Sequence, residues 1–380
     1  MAYLESKPRY EVLDGLRGVA ALCVVGFHMM ECYSADITNN IMAHGYLAVD
    51  FFFALSGYVL GYAYQDRFDQ MGYKGFFKRR IARLHPMLLI GVLMGIIFFY
   101  YSGSVDVFGA VDSAPWHFLM LQAVLTLFCI PFPQSWDIRG WGELSSINGP
   151  VWTLIYEYIA NILYAFIFRF LPTWGLAILA MCSAVLTADI ALNLNIFGNL
   201  TETDYFYYIN GGFVFNQEHV YLAFTRLLYP FLIGLLMSRM GKIIKSNHGF
   251  LITSIIVFGM FNVPKYMGGG NIVDGAYQLF CVLVLFPLVL ITGAGSKVTG
   301  KISTKVCKFL GDISFPLYIT HYPVLYMHMS WAQRHLDSPV STHIFVAITT
   351  TILVIMNAWA ALKLYDLPVR AWLKEHWLKK

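Results

Sequence analysis

Charge is what this chain has least of. Only 13% of its 380 residues are Asp, Glu, Lys or Arg, while 58% are hydrophobic. A soluble domain of this length carries about twice that charged fraction to keep its surface wet. The composition therefore excludes a soluble globular protein and assigns nearly the whole chain to a bilayer. Paired cysteines are missing as well. Cys23, Cys32, Cys129, Cys182, Cys281 and Cys307 are isolated, most of them inside apolar runs, and no CxxC spacing is present. Neither a zinc site nor a disulfide framework is expected from them. No internal repeat is visible, and no shift in composition marks an appended soluble domain. One membrane domain over residues 1–380 is the expectation, with no nucleic-acid partner. A cleavable leader is not expected either. Lys7 and Arg9 precede the first apolar stretch, but Asp14 and Arg17 interrupt it and no small-x-small cleavage site follows.

Long apolar stretches are what the chain does have. Ten of them approach the length needed to cross about 30 Å of hydrocarbon as helix. They cover approximately 13–32, 45–64, 85–102, 150–170, 174–192, 223–238, 250–263, 275–292, 312–331 and 342–364. An all-α integral membrane bundle of about ten spanning helices follows. Basic residues set its orientation, because cytoplasmic loops collect Lys and Arg. Residues 65–84, 239–248 and 297–308 hold thirteen of them, whereas all the alternate connections hold three, Arg139, Lys265 and Arg334. Both termini are therefore expected in the cytoplasm. An eleventh apolar piece, about 116–131, would break this pattern if it crossed, so it is expected to be re-entrant or packed on the outer face.

Ionisable groups inside such helices are costly and mark function by default. The first stretch carries Asp14, Arg17 and His28. Arg17 and His28, eleven residues apart, project from one helix face about 16 Å apart along the axis. Asp14 can pair with Arg17 at i,i+3. Glu157 lies about two turns into the fourth stretch, behind Pro150, with Asn161 one turn further on the same face. A buried carboxylate needs a partner, whether its role is structural or catalytic. The run Lys78-Arg79-Arg80-Ile81-Ala82-Arg83 stands at the mouth of the third stretch. It can anchor topology and anionic lipid, or Arg80 and Arg83, sharing a face, can grip phosphates. His321 sits in mid-helix, where a lone histidine is commonly satisfied by packing. His328 and His335 follow it without other ligands nearby, so no metal site is expected. Tyr205, Phe206, Tyr207, Tyr208, Phe213 and Phe215 crowd one outer connection, as an interfacial aromatic belt does; a sugar-stacking surface is the other reading.

Taken together the motifs resemble the acyltransferase-3 family of membrane acyltransferases. The resemblance runs from Leu13-Asp14-Gly15-Leu16-Arg17-Gly18 with His28, through Gly45-Tyr46-Leu47-Ala48-Val49-Asp50-Phe51-Phe52-Phe53 and Arg79-Arg80-Ile81-Ala82-Arg83-Leu84, to Trp152-Thr153-Leu154 with Glu157 and Leu317-Tyr318-Ile319-Thr320-His321. Thr153 stands where serine is usual, His85 where an aromatic is common and Ala48 where glycine is common. The resemblance implies that Arg17 and His28 form an essential pair and that Glu157 is the recurrent carboxylate after the Trp-Ser-Leu motif. It links Arg80 and Arg83, with Arg79 and Lys78 beside them, to a cytoplasmic acyl-CoA donor, acetyl-CoA by default. Trp152, Asp14, Tyr318 and His321 are expected against the substrate, a glycan or glycolipid acceptor in the cell (inner or plasma) membrane.

On this reading His28 is the base for the acceptor hydroxyl, Glu157 orients it, and Arg17 holds the donor or stabilises the oxyanion. A transporter or flippase for a lipid-linked sugar, using the same polar groove, is the alternative; a membrane scaffold is a third.

Overall fold

The structure, a computed structural model, describes residues 7–33, 41–103, 109–200 and 206–379, so Tyr205 lies outside the described residues. Among these the chain is all α, without a strand. Every expected apolar stretch is helical. The elements are α1 (Glu11–Met30), α2 (Ala48–Tyr64), α3 (Phe68–Phe98), α4 (Trp116–Leu127), α5 (Val151–Phe166) and α6 (Thr173–Ala191). There follow α7 (Gln217–Met240), α8 (Gly249–Asn262), α9 (Ile272–Phe280), α10 (Phe286–Gly295), α11 (Lys301–Arg334), α12 (Val340–Ala360) and α13 (Leu367–Leu373). Wider, π-type turns carry α9 into α10 and α12 into α13.

Eight segments among the described residues are long and apolar enough to cross a membrane. The other two of the expected ten are α8, a shorter apolar helix, and α11, a long helix of lower mean hydropathy. With 14 residues, α8 reaches about 21 Å, short of the hydrocarbon thickness. The 34-residue α11 is long enough, but Tyr318, His321, Tyr322, Tyr326 and His328 lower the mean hydropathy of its apolar part. The piece near 116–131 forms α4, whose 12 residues reach about 18 Å and cannot span. That length fits a re-entrant or face-packed segment. The third helix begins at Phe68 rather than near 85 and takes up the basic run, since Lys and Arg are good helix formers. Only Gly72, at φ 65°, interrupts it.

Position within the bundle follows from burial. The apolar window of α2 is 72% buried and that of α12 is 11% buried, so α2 is central and α12 faces lipid. Apolar burial gives helices little reason to associate in lipid, and close approach through small residues replaces it. A Cβ on Gly18 of α1 would lie 2.3 Å from the Leu310 carbonyl oxygen of α11. Between α2 and α7 the fit is reciprocal: a Cβ on Gly57 would lie 2.0 Å from the Phe231 oxygen, and one on Gly234 2.1 Å from the Ala54 oxygen. Helices α1, α2, α5, α7 and α11 enclose the polar interior this leaves.

Two irregular segments cap one end of it. The Leu144 amide donates to the Phe213 carbonyl at 2.6 Å and joins them. Arg139, fully buried, pins the first segment by donating to the Ser146 carbonyl (3.0 Å) and to Ser102 Oγ (2.8 Å), with its guanidinium 3.5 Å from the Tyr326 ring centroid.

Candidate active site

Three layers of side chains stack along the axis, and helical geometry explains them. Positions four apart lie one above the other on a helix. Phe52 and Ser56 on α2, Thr153 and Glu157 on α5, and Tyr318 and Ser314 on α11 are three such pairs. Tyr318 meets both other upper members, and of the lower ones Ser56 meets Glu157.

The lower layer gathers the arginines. Glu157 Oε1 accepts from Ser56 Oγ at 2.8 Å and from the Arg80 guanidinium. Arg17 donates from Nε to Ser314 Oγ at 2.8 Å and pairs with Asp14 at 3.2 Å. Arg83 is half-buried, with Arg17, Arg80 and Asp14 as its nearest charges. It has no hydrogen bond or ion pair among the described residues. Asp366, paired with Arg370 at 2.8 Å, also acts on Arg83, so among the described residues four guanidiniums share three carboxylates and positive charge remains in excess. Lys78 stands apart, donating to the Trp377 carbonyl at 3.0 Å and lying over that indole ring; Arg79 is half-buried beside Arg80.

The middle layer is a constriction. Tyr318 OH lies 2.9 Å from Thr153 Oγ1, and the Phe52 ring meets the Tyr318 ring edge-on at 5.3 Å. Thr153 also donates to the Pro150 carbonyl at 2.9 Å, so its hydroxyl accepts from Tyr318.

Above it lies a cavity of about 310 Å³. His28 and Glu31 from α1, Trp141 and Glu143 from the first cap, Trp152 from α5, Arg226 from α7, and Tyr318 and Tyr322 from α11 are among its walls. Glu31 Oε2 lies 2.7 Å from His28 Nδ1. That contact places a proton on Nδ1 and leaves Nε2, which has no partner among the described residues, as a lone-pair acceptor at the cavity. The Tyr322 ring packs edge-on against the imidazole at 4.7 Å. At the far wall Arg226 and Asp50 form a fully buried pair at 2.8 Å. Arg226 also donates to the Gly211 carbonyl (2.9 Å) and the Tyr46 carbonyl (2.6 Å), which ties the second cap down. Among the described residues no three His, Cys, Asp or Glu side chains gather to hold a metal.

The site residues expected from the sequence thus fall into two groups. His28, Trp152 and Tyr318 line the cavity. Arg17, Asp14, Arg80, Arg83 and Glu157 gather on the other side of the constriction. Glu157 does not orient His28, because Ser56 and Arg80 engage its carboxylate in the lower layer. His321 is buried behind the cavity wall, with its Nδ1 2.8 Å from the Tyr318 carbonyl and its ring 5.6 Å from that of His28. Sequence reasoning missed Glu31, Glu143 and Arg226. The i,i+3 spacing to His28 signals Glu31, whereas nothing local signals the other two.

A multi-pass membrane protein with an imidazole–carboxylate pair lining an internal cavity is what this architecture defines. The chain belongs to the acyltransferase-3 family, whose "Acyltransferase domain" profile matches residues 10–359. It is 35% identical over 166 residues to "Protein 2 in picA locus" of Rhizobium radiobacter, covering 41% of this chain and 81% of that one. A Staphylococcus aureus (strain COL) protein named "Putative O-acetyltransferase" is 22% identical over 90% of this chain. The match covers 54% of that protein's length, so the chain spans about half of it. "Acyltransferase MdmB" of Streptomyces mycarofaciens is 23% identical over 83% of this chain and 79% of its own. No solved structure matches.

Proposed function

We propose that the chain is an acyl-CoA-dependent O-acyltransferase of the cell membrane, moving an acetyl group to a hydroxyl of a cell-envelope glycan or glycolipid. One observation supports this reading: a carboxylate-held imidazole with a free Nε2 faces the cavity, and Arg83, which makes no hydrogen bond or direct ion pair among the described residues, stands across the constriction. A base and an anion site are the two things the reaction needs. The distribution of basic residues supports a cytoplasmic position for the arginine end, where the coenzyme A thioester is available.

The donor's phosphates lie at Arg83 and Arg80, with Arg17 further along its arm toward the constriction. Opening the Tyr318–Thr153 layer brings the thioester to His28. There Nε2 takes the acceptor hydroxyl's proton as its oxygen bonds to the carbonyl carbon. The carbon–sulfur bond breaks, and the imidazolium returns that proton to the departing thiolate. Glu31 holds the imidazole in the required tautomer and stabilises its transient charge. Transfer is direct, with no acyl-enzyme.

Purified protein in detergent should bind acetyl-CoA and release free thiol, and H28A should abolish the release without weakening binding. Envelope glycans from cells lacking the gene should lose acetyl substituents. Protein that neither binds acetyl-CoA nor releases thiol would end the acyltransferase reading.

A further inference from the structure

Glu143 is the one cavity-lining carboxyl that the proposed chemistry leaves without a task. It belongs to the cap over residues 128–150, not to a spanning helix, and is 7% exposed. Tyr326 OH donates to its Oε2 at 2.7 Å. Its Oε1 has no hydrogen bond or ion pair among the described residues, although the carboxyl lines the same cavity as His28 and Glu31. A Cβ on Gly149 would come within 2.7 Å of Oε1 and of the Tyr322 ring, so the glycine makes room for this carboxyl. Oε1 opens onto the cavity, so a ligand there can supply the partner that the protein does not.

Charge narrows the ligand. Among the described residues Arg226 is the only Lys or Arg in the cavity wall, and its Nε and both terminal nitrogens are engaged by Asp50, Gly211 and Tyr46. Two carboxyls and no available guanidinium remain, together with two indoles and the Asn210 side chain. With no cation available to pair with it, a carboxylate or phosphate finds no compensation in such a wall, which suits an uncharged polyol. Burial pushes the Glu143 carboxyl up to about 8. At neutral pH it keeps a proton, and Oε1 can give it to a hydroxyl while Oε2 stays with Tyr326.

We propose that the cavity accepts an uncharged sugar residue and excludes uronic or phosphorylated ones, with Glu143 Oε1 hydrogen-bonding a sugar hydroxyl as the specificity-determining contact. The proposal rests on the acyltransferase reading for the meaning of "acceptor", but its test needs no donor.

Trp141 and Trp152 in the wall make binding visible as a change in tryptophan fluorescence. The full chain in detergent is titrated with the methyl glycosides of glucose, galactose, mannose and N-acetylglucosamine, and with methyl glucuronide and galacturonide. At least one neutral glycoside should bind ten-fold or more tightly than either uronide. E143A should weaken that binding at least ten-fold, whereas E143Q, which keeps a donor and an acceptor, should stay within three-fold. No response to any neutral glycoside, a uronide binding as tightly, or an unchanged E143A would overturn the proposal. Failure of wild-type protein to turn over acetyl-CoA is a separate result and strikes only at the enzymatic reading.

Discussion

The Glu31 carboxylate lies 2.7 Å from Nδ1 of His28, less than one helical turn along the same chain. A carboxylate in this place fixes the ring and its tautomer together. E31Q should therefore lower kcat for acetyl-CoA-dependent transfer by about 10²-fold or more while KM for the donor stays nearly unchanged. Steady-state thiol release with a fixed acceptor checks it. E157Q, by contrast, should act mainly on stability.

Arg80 and Arg83 are neighbours on α3 with opposite expected behaviour. Removing Arg80 strands the Glu157 carboxylate without its guanidinium, and breaking a buried pair from one side costs about 3–5 kcal/mol. R80M should lower the thermal midpoint in detergent clearly, and R80M with E157Q should recover part of the loss. Arg83 has no partner to strand. R83M should leave the midpoint near wild type and raise KM for acetyl-CoA about ten-fold, roughly the worth of one charge-assisted phosphate contact.

Tyr318, bonded to Thr153 and in ring contact with Phe52, lies between the arginine layer and the cavity that holds the imidazole. The width of that layer sets how large an acyl group passes. Y318A should raise the kcat/KM ratio of butyryl-CoA to acetyl-CoA about ten-fold, since a methylene in a pocket is worth about 10–200-fold in discrimination. Y318F, which keeps the ring, should move the ratio little. Competition between the two thioesters measures it.

Glu143 gives a pH dependence of stability with a definite sign. Burial raises its carboxyl to about 8; Asp137 and Glu31 add to the rise, while the Tyr326 hydroxyl and Arg139 oppose it. The unfolded carboxyl ionises near 4.3, and the folded one keeps its proton far longer. The stability this group contributes is therefore whole below the unfolded value and is lost as pH rises through about 8. The thermal midpoint of wild type should fall between pH 5 and 9. E143Q, with nothing to titrate there, should show a shallower fall, and a fall of equal slope would exclude Glu143 as its source.

The sequence by itself determined which stretches are helical, because hydropathy and helix length are properties of short segments. It also determined that Arg17 and His28 share a face of α1, a matter of 100° per residue. The Glu31–His28 pair was missed, although its i,i+3 spacing is local and encodes it. Tertiary structure alone decided the rest. Glu157 meets Arg80 and Ser56 rather than His28 because α2, α3 and α5 bring them to one level, and no local pattern encodes that level. Arg226 reaches Asp50 across 176 residues, and Glu143 enters the cavity only because a capping segment folds back over the bundle. Interactions along one helix follow from its period; interactions between helices depend on rotation and depth, which only the assembled packing sets.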